Sequence, residues 1–202
     1  MRLYLQMLVF LVLPVLSLVM GFVPLNGRVH ILVLIILGII FLIVIEKISF
    51  KELGLRVDNI KTTFIPYSIL TVLGVFSLLF LMHIFNKHPL ENWWTHPHLQ
   101  WIFLPASILQ EFGYRAFFQT KLQKAINPYL AIFIISVLYS FMHILWKDPL
   151  ILLITFMAGL GWGYLWYKYP NFYLLVLSHA ILNFLTVLFG FFPLLAAGYF
   201  KI

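Results

Sequence analysis

The chain has 202 residues, of which 63% are hydrophobic and only 9% charged, with a net charge of +7 and a mean hydropathy of +1.04. A soluble domain of this length cannot hide that much apolar surface, so the composition excludes one and predicts an all-α polytopic membrane protein. Cysteine is absent, which excludes disulfides and thiolate metal sites, and the 13 Lys and Arg are scattered over short loops. They suit anionic membrane lipids rather than a nucleic-acid face, so no nucleic-acid partner is expected.

Arg2 followed by the apolar run Leu3 to Leu25 is too long for the core of a signal peptide, and no small-residue cleavage site follows it. It is read as a retained first helix. With about 20 apolar residues needed per span, helices are predicted near 3–25, 29–46, 64–86, 99–122, 129–146, 150–168 and 171–197. That makes about seven transmembrane helices in a single domain covering 1–202, with no internal repeat.

The 47–63 connection alternates charged and apolar residues and is expected to lie along the membrane surface. Trp93, Trp94, His96 and His98 in the 87–98 loop suit an interfacial belt. With the N-terminus in the cytoplasm, Arg2, Lys47, Lys51, Arg56, Lys61, Lys121, Lys124 and Lys168 fall inside, against Arg28, Lys87, Lys147 and Lys201 outside. That bias predicts an N-in, C-out protein of a plasma membrane, and the short loops suggest the bacterial cytoplasmic membrane.

Glu111 stands apart. The other acids, Glu46, Glu52, Asp58, Glu91 and Asp148, fall in or beside polar connections, whereas Glu111 lies within an apolar span. An ionisable group at that depth costs several kcal/mol by order of magnitude unless paired or hydrated. Arg115 follows at i+4 on the same helix face, and Gln119 continues the stripe one turn later. Such a pair is either a structural ion pair or a carboxylate held in place for chemistry. In the fifth predicted helix Tyr139 and His143 share a side, and in the seventh His179 and Asn183 do. A single intramembrane histidine usually serves as an interhelical hydrogen-bonding group, worth about 0.6–2 kcal/mol. Polar groups on three helices in so apolar a chain predict one shared polar site inside the bundle. Ala158-Gly159-Leu160-Gly161-Trp162-Gly163 in the sixth helix offers small residues that let neighbouring helices approach.

These motifs resemble those of the CPBP family of intramembrane proteases, which includes CAAX prenyl endopeptidases and bacteriocin-processing proteins. The family pattern is Glu-Glu-xxx-Arg, Phe-xxx-His, and His-xxx-Asn or Asp. Here it reads Gln110-Glu111-Phe112-Gly113-Tyr114-Arg115, Tyr139-Ser140-Phe141-Met142-His143 and His179-Ala180-Ile181-Leu182-Asn183. The resemblance covers roughly residues 50–190, including the Leu53-Gly54-Leu55 element. It implies hydrolysis of a peptide bond in a membrane-associated or C-terminally lipidated or sorted substrate.

Two departures stand out. Tyr139 replaces the family's Phe, which is a mild change. Gln110 replaces the first Glu, where the family's general base is usually assigned, and glutamine cannot take a proton from water. Three readings follow: Glu111 is the base in its stead, the chain keeps the fold as a catalytically inactive scaffold that grips a partner's transmembrane segment, or the glutamine was introduced.

In the hydrolytic scheme Glu111 deprotonates water with help from His143. His179 and Asn183 donate to the developing oxyanion, and Arg115 orients Glu111. No cofactor is favoured. Zinc on Glu111, His143 and His179 is the variant, though no His-Glu-x-x-His spacing pre-arranges those ligands. At ~1.5 Å of rise per residue, Glu111 and His179 come ~12–16 Å deep and His143 ~21 Å; tilt, a kink or a later start to the fifth helix would reconcile them, and without one His143 is not part of the site.

Overall fold

A computed structural model describes residues 1–24, 28–95 and 103–192, with backbone alone at 28 and 29. Among the described residues all regular structure is helical. Seven rods follow one another: α1 (Arg2–Val19), α2 (Arg28–Glu46), α3 (Ile60–Ile84), α4 (103–125), α5 (Pro128–Trp146), α6 (Pro149–Lys168) and α7 (Phe172–Leu188). Four of them, α1, α3, α5 and α6, are long and apolar enough to cross a membrane; α2, fully described over His30–Glu46, and the shorter α7 are apolar too. In α4 it is Glu111, Arg115, Lys121 and Lys124 that interrupt the apolar run.

Two predicted helices end early. The first stops at Val19 rather than 25, because Gly21 turns with φ +74° and Val23 N–H reaches back to the Ser17 carbonyl at 3.2 Å. The last stops at Leu188 rather than 197: Gly190 takes φ +77° and Phe191 N–H closes on the Thr186 carbonyl at 3.0 Å. Both are left-handed C-terminal caps of the kind that glycine permits. Residues 193–197, the start of the fourth predicted helix at 99–102, His96, His98 and Lys201 lie outside the described residues.

α5 and α6 form an antiparallel pair joined at Lys147 and Asp148. Asp148 Oδ1 accepts from Leu150 N–H at 2.8 Å, and Pro149 opens the helix where a missing N–H costs nothing. The pair approaches closely at Gly159, where a Cβ would stand 3.0 Å from Ser136 Cβ and 3.2 Å from its Cα. The small-residue run in α6 is therefore a packing surface, as expected.

α7 is anchored at its N-terminus by the fully buried Asn171. Its side chain accepts from Leu174 N–H at 3.0 Å and donates to the Arg56 carbonyl at 3.1 Å and to Asn59 Oδ1 at 2.8 Å. The 47–59 connection is a series of turns, with Leu53 buried and Gly54 (φ +67°) lying beneath the Trp166 ring. Large apolar side chains such as Phe64, Ile65, Phe76 and Phe80 of α3 point outward, as hydrocarbon-facing residues do.

Candidate active site

The polar residues of α4 sit where its winding changes. Residues Phe112–Gln119 form a π-helical stretch that begins immediately after Glu111. Such widened turns are uncommon and recur at functional sites. At its far end the Thr120 hydroxyl donates to the Arg115 carbonyl at 3.1 Å and accepts from the Trp166 indole N–H at 3.0 Å.

Glu111 and Arg115 both have zero exposure, and Arg115 Nη1 donates to Glu111 Oε1 at 3.2 Å. The same carboxylate oxygen lies 2.7 Å from His179 Nδ1, brought in by α7. His179 Nε2 in turn lies 3.0 Å from the Tyr139 hydroxyl of α5. Glu111, His179 and Tyr139 thus form one hydrogen-bonded chain across three helices, wholly inside the protein.

Arg115 also stacks its guanidinium over the Tyr139 ring, 4.3 Å from the centroid, so one cation steadies both ends of the chain. Gln119 completes the buried stripe by donating from Nε2 to the Gly163 carbonyl of α6 at 2.7 Å.

His143 lies beside this chain rather than in it. It belongs to a short 3-10 turn, Met142–Trp146, that ends α5, and its ring is 5.1 Å from that of Tyr139. Its Nδ1 is 3.0 Å from the Tyr139 carbonyl, which can only accept, so Nδ1 carries the hydrogen and a neutral ring leaves Nε2 bare. Asn183, one turn beyond His179, is half-buried and has no hydrogen-bond partner among the described residues. Gln110 is half-buried, with its Oε1 enclosed and without a partner among the described residues.

Three observations bear on these expectations. The Tyr139 hydroxyl contacts the imidazole, a contact that a Phe could not make. With Nδ1 of His179 directed at Glu111, its Nε2 faces the tyrosine hydroxyl. Among the described residues no three His, Cys, Asp or Glu side chains are disposed to hold a metal ion.

One residue escaped the motif reading. Trp162 lays its indole on His179 with centroids 4.4 Å apart and planes at 31°, and donates from Nε1 to Ser178 Oγ at 3.0 Å. Its only signal in the sequence is a large aromatic between two glycines.

Residues 92–185 match the family model for type II CAAX prenyl endopeptidase, Rce1-like. This stretch of the chain is similar to an Rce1-like domain. The Rce1-like segment contains all three motifs, from Gln110 to Asn183, and agrees with the CPBP resemblance that they carry. It spans α4 to α7 almost entirely, so the chain from Glu111 to Tyr139 is internal to it. No curated protein and no solved structure matches the chain.

Proposed function

We propose that the protein is an intramembrane endopeptidase that hydrolyses a peptide bond with water activated by Glu111. The observation that carries this reading is the 2.7 Å contact between Glu111 Oε1 and His179 Nδ1 inside a domain of protease type. Buried polar atoms normally have partners. Glu111 Oε2, Arg115 Nε and Nη2, Gln110 Oε1 and Ser107 Oγ have none among the described residues. These atoms, gathered along α4, are where a hydrolytic water would be held.

In this scheme Arg115 and His179 engage Oε1, which leaves Oε2 to take a proton from water as its oxygen attacks the scissile carbonyl. Asn183, with its amide uncommitted, donates to the oxyanion, and the bare Nε2 of His143 assists the water. When the C–N bond breaks, the proton on Glu111 passes to the leaving nitrogen. Gln110 keeps the shape of a glutamate but takes no proton. No step runs through a metal.

The same reading places all seven helices across the membrane, with α7 packed on α3 and α4, and α2 packed on α4. It also places the N-terminus in the cytoplasm of a bacterial cell, and makes the substrate a membrane-embedded or C-terminally lipidated or sorted peptide.

The test is cleavage of candidate membrane peptides by purified protein in lipid. Glu111→Ala is expected to lose activity by about 10²–10⁴-fold, the usual contribution of a general base. Gln110→Glu should change the rate by less than about tenfold, because neighbouring helix positions point ~100° apart. Cleavage that survives Glu111→Ala defeats the reading. If neither variant alters processing and partner binding persists, a scaffold role stands instead.

A further inference from the structure

We propose that Tyr139 is a positioning residue that latches His179, its hydroxyl holding Nε2 as a hydrogen-bond acceptor until a donor on the substrate replaces it. This rests on the hydrolytic reading above and adds an internal competitor to that site.

The argument is one of hydrogen accounting. With Arg115 against it, the Glu111 carboxylate is an acceptor only, so the 2.7 Å contact to His179 requires the hydrogen on Nδ1. A neutral imidazole with Nδ1–H has a bare Nε2. The Tyr139 hydroxyl, 3.0 Å away, is then the donor. Nothing else reaches that nitrogen among the described contacts.

The latch is stiff. The Tyr139 ring is 2% exposed and carries the Arg115 guanidinium on one face at 4.3 Å, while Tyr114 and Trp162 stand edge-on with centroids at 5.5 and 6.3 Å. The imidazole rests against the Trp162 indole, 4.4 Å between centroids.

The group that fits a bare, buried imidazole nitrogen beside Glu111 is an N–H donor. On a peptide substrate that is the amide of the scissile bond. To make this contact the amide must displace the tyrosine hydroxyl, so the latch weakens substrate binding by roughly the worth of one neutral hydrogen bond. That corresponds to about fivefold in affinity. A phenylalanine at this position, as in the motif the chain resembles, would leave Nε2 open from the start.

The experiment compares wild type, Tyr139→Phe and, as a control for loss of a buried hydroxyl elsewhere, Tyr114→Phe. Tyr114 donates only to the Leu138 carbonyl, at 3.4 Å. Each protein is placed in phospholipid nanodiscs with ¹⁵N-histidine, and the His179 resonances are assigned by their loss in His179→Gln. In wild type Nδ1 is expected to be protonated and Nε2 to be a hydrogen-bonded, unprotonated nitrogen. In Tyr139→Phe the Nε2 resonance moves downfield, to that of an unprotonated nitrogen without a donor; in Tyr114→Phe it stays.

With a fluorescence-quenched peptide ending in a farnesylated cysteine and three residues as probe, Tyr139→Phe is expected to lower KM about fivefold and leave kcat within twofold. An Nε2 resonance that does not move overturns the latch, and so does a KM that is unchanged or raised. Failure of the wild type to cleave any membrane peptide, with the resonance shift present, defeats the hydrolytic reading and leaves the tyrosine–histidine contact standing.

Discussion

The Trp162 indole and the His179 imidazole lie face against face, 4.4 Å between centroids and 31° between planes. α6 thereby supports a residue of α7 that α4 and α5 hold by hydrogen bonds. The imidazole is thus held from three sides, the preorganisation that the proposed catalytic role requires.

That support is measurable. Aromatic pairs contribute about 0.5–1.5 kcal/mol beyond their area, so Trp162→Leu should lower the peptide-cleavage rate about three- to tenfold. Trp162→Phe, which retains a ring but loses the N–H to Ser178, should fall between wild type and the leucine variant. Equal rates for all three would show that the imidazole does not depend on the indole.

Arg115 does two things at once, neutralising Glu111 and stacking on Tyr139. Arg115→Ala leaves a carboxylate buried without its counter-charge, which costs about 3–5 kcal/mol in comparable buried pairs. Arg115→Lys retains the charge but not the planar face over the ring. Thermal unfolding in detergent should therefore rank wild type above lysine and lysine above alanine, with the alanine variant by far the least stable.

The small residues of α6 should not be equivalent. A Cβ at Gly159 meets the Ser136 backbone, whereas one at Gly161 meets the side chain of Leu70, whose Cδ1 is the flexible end. Gly159→Ala is expected to destabilise by about 1–3 kcal/mol, the range for overpacking. Gly161→Ala should cost clearly less in the same unfolding assay.

From the last turn of α4, Lys124 Nζ reaches Glu52 in the 47–59 connection at 2.6 Å, and Ser49 caps the same carboxylate from its backbone N–H at 3.0 Å. The lysine first, and then the serine, hold the Glu52 carboxyl down to about 2, against an ordinary value of ~4.3. A depressed folded-state value means that the contribution to stability is present above the ordinary value and disappears as pH falls toward the depressed one. The stability difference between wild type and Glu52→Gln should thus be constant near neutrality and vanish between about pH 4.3 and pH 2. Both side chains are half-exposed, so the effect is small and declines with salt.

Because the chain has no cysteine, single cysteines report topology directly. With an impermeant thiol reagent on intact cells, cysteine at Lys87 or Lys147 should label from outside, and cysteine at Lys51 or Lys168 only after permeabilisation. Labelling of Lys51 in intact cells overturns the N-in orientation.

The apolar runs by themselves determined that the protein is a membrane bundle and where most of its rods begin, since span length depends only on a continuous stretch of residues. The i, i+4 spacings likewise put Glu111 with Arg115, and Tyr139 with His143, on common faces. The early ends at Val19 and Leu188 were less legible, because a glycine in the left-handed region stops a helix in the middle of an apolar run.

Only the tertiary structure decided which face of each rod met which. It joined Glu111 to His179 across 68 positions of chain, gave the Tyr139 hydroxyl to the imidazole, set Trp162 behind it, and left His143 bonded to its own helix. Periodicity reports the side of a helix a residue occupies. The rotation and depth of one helix against another come from close packing, such as Gly159 on Ser136, and packing belongs to pairs of surfaces that no single stretch of sequence contains.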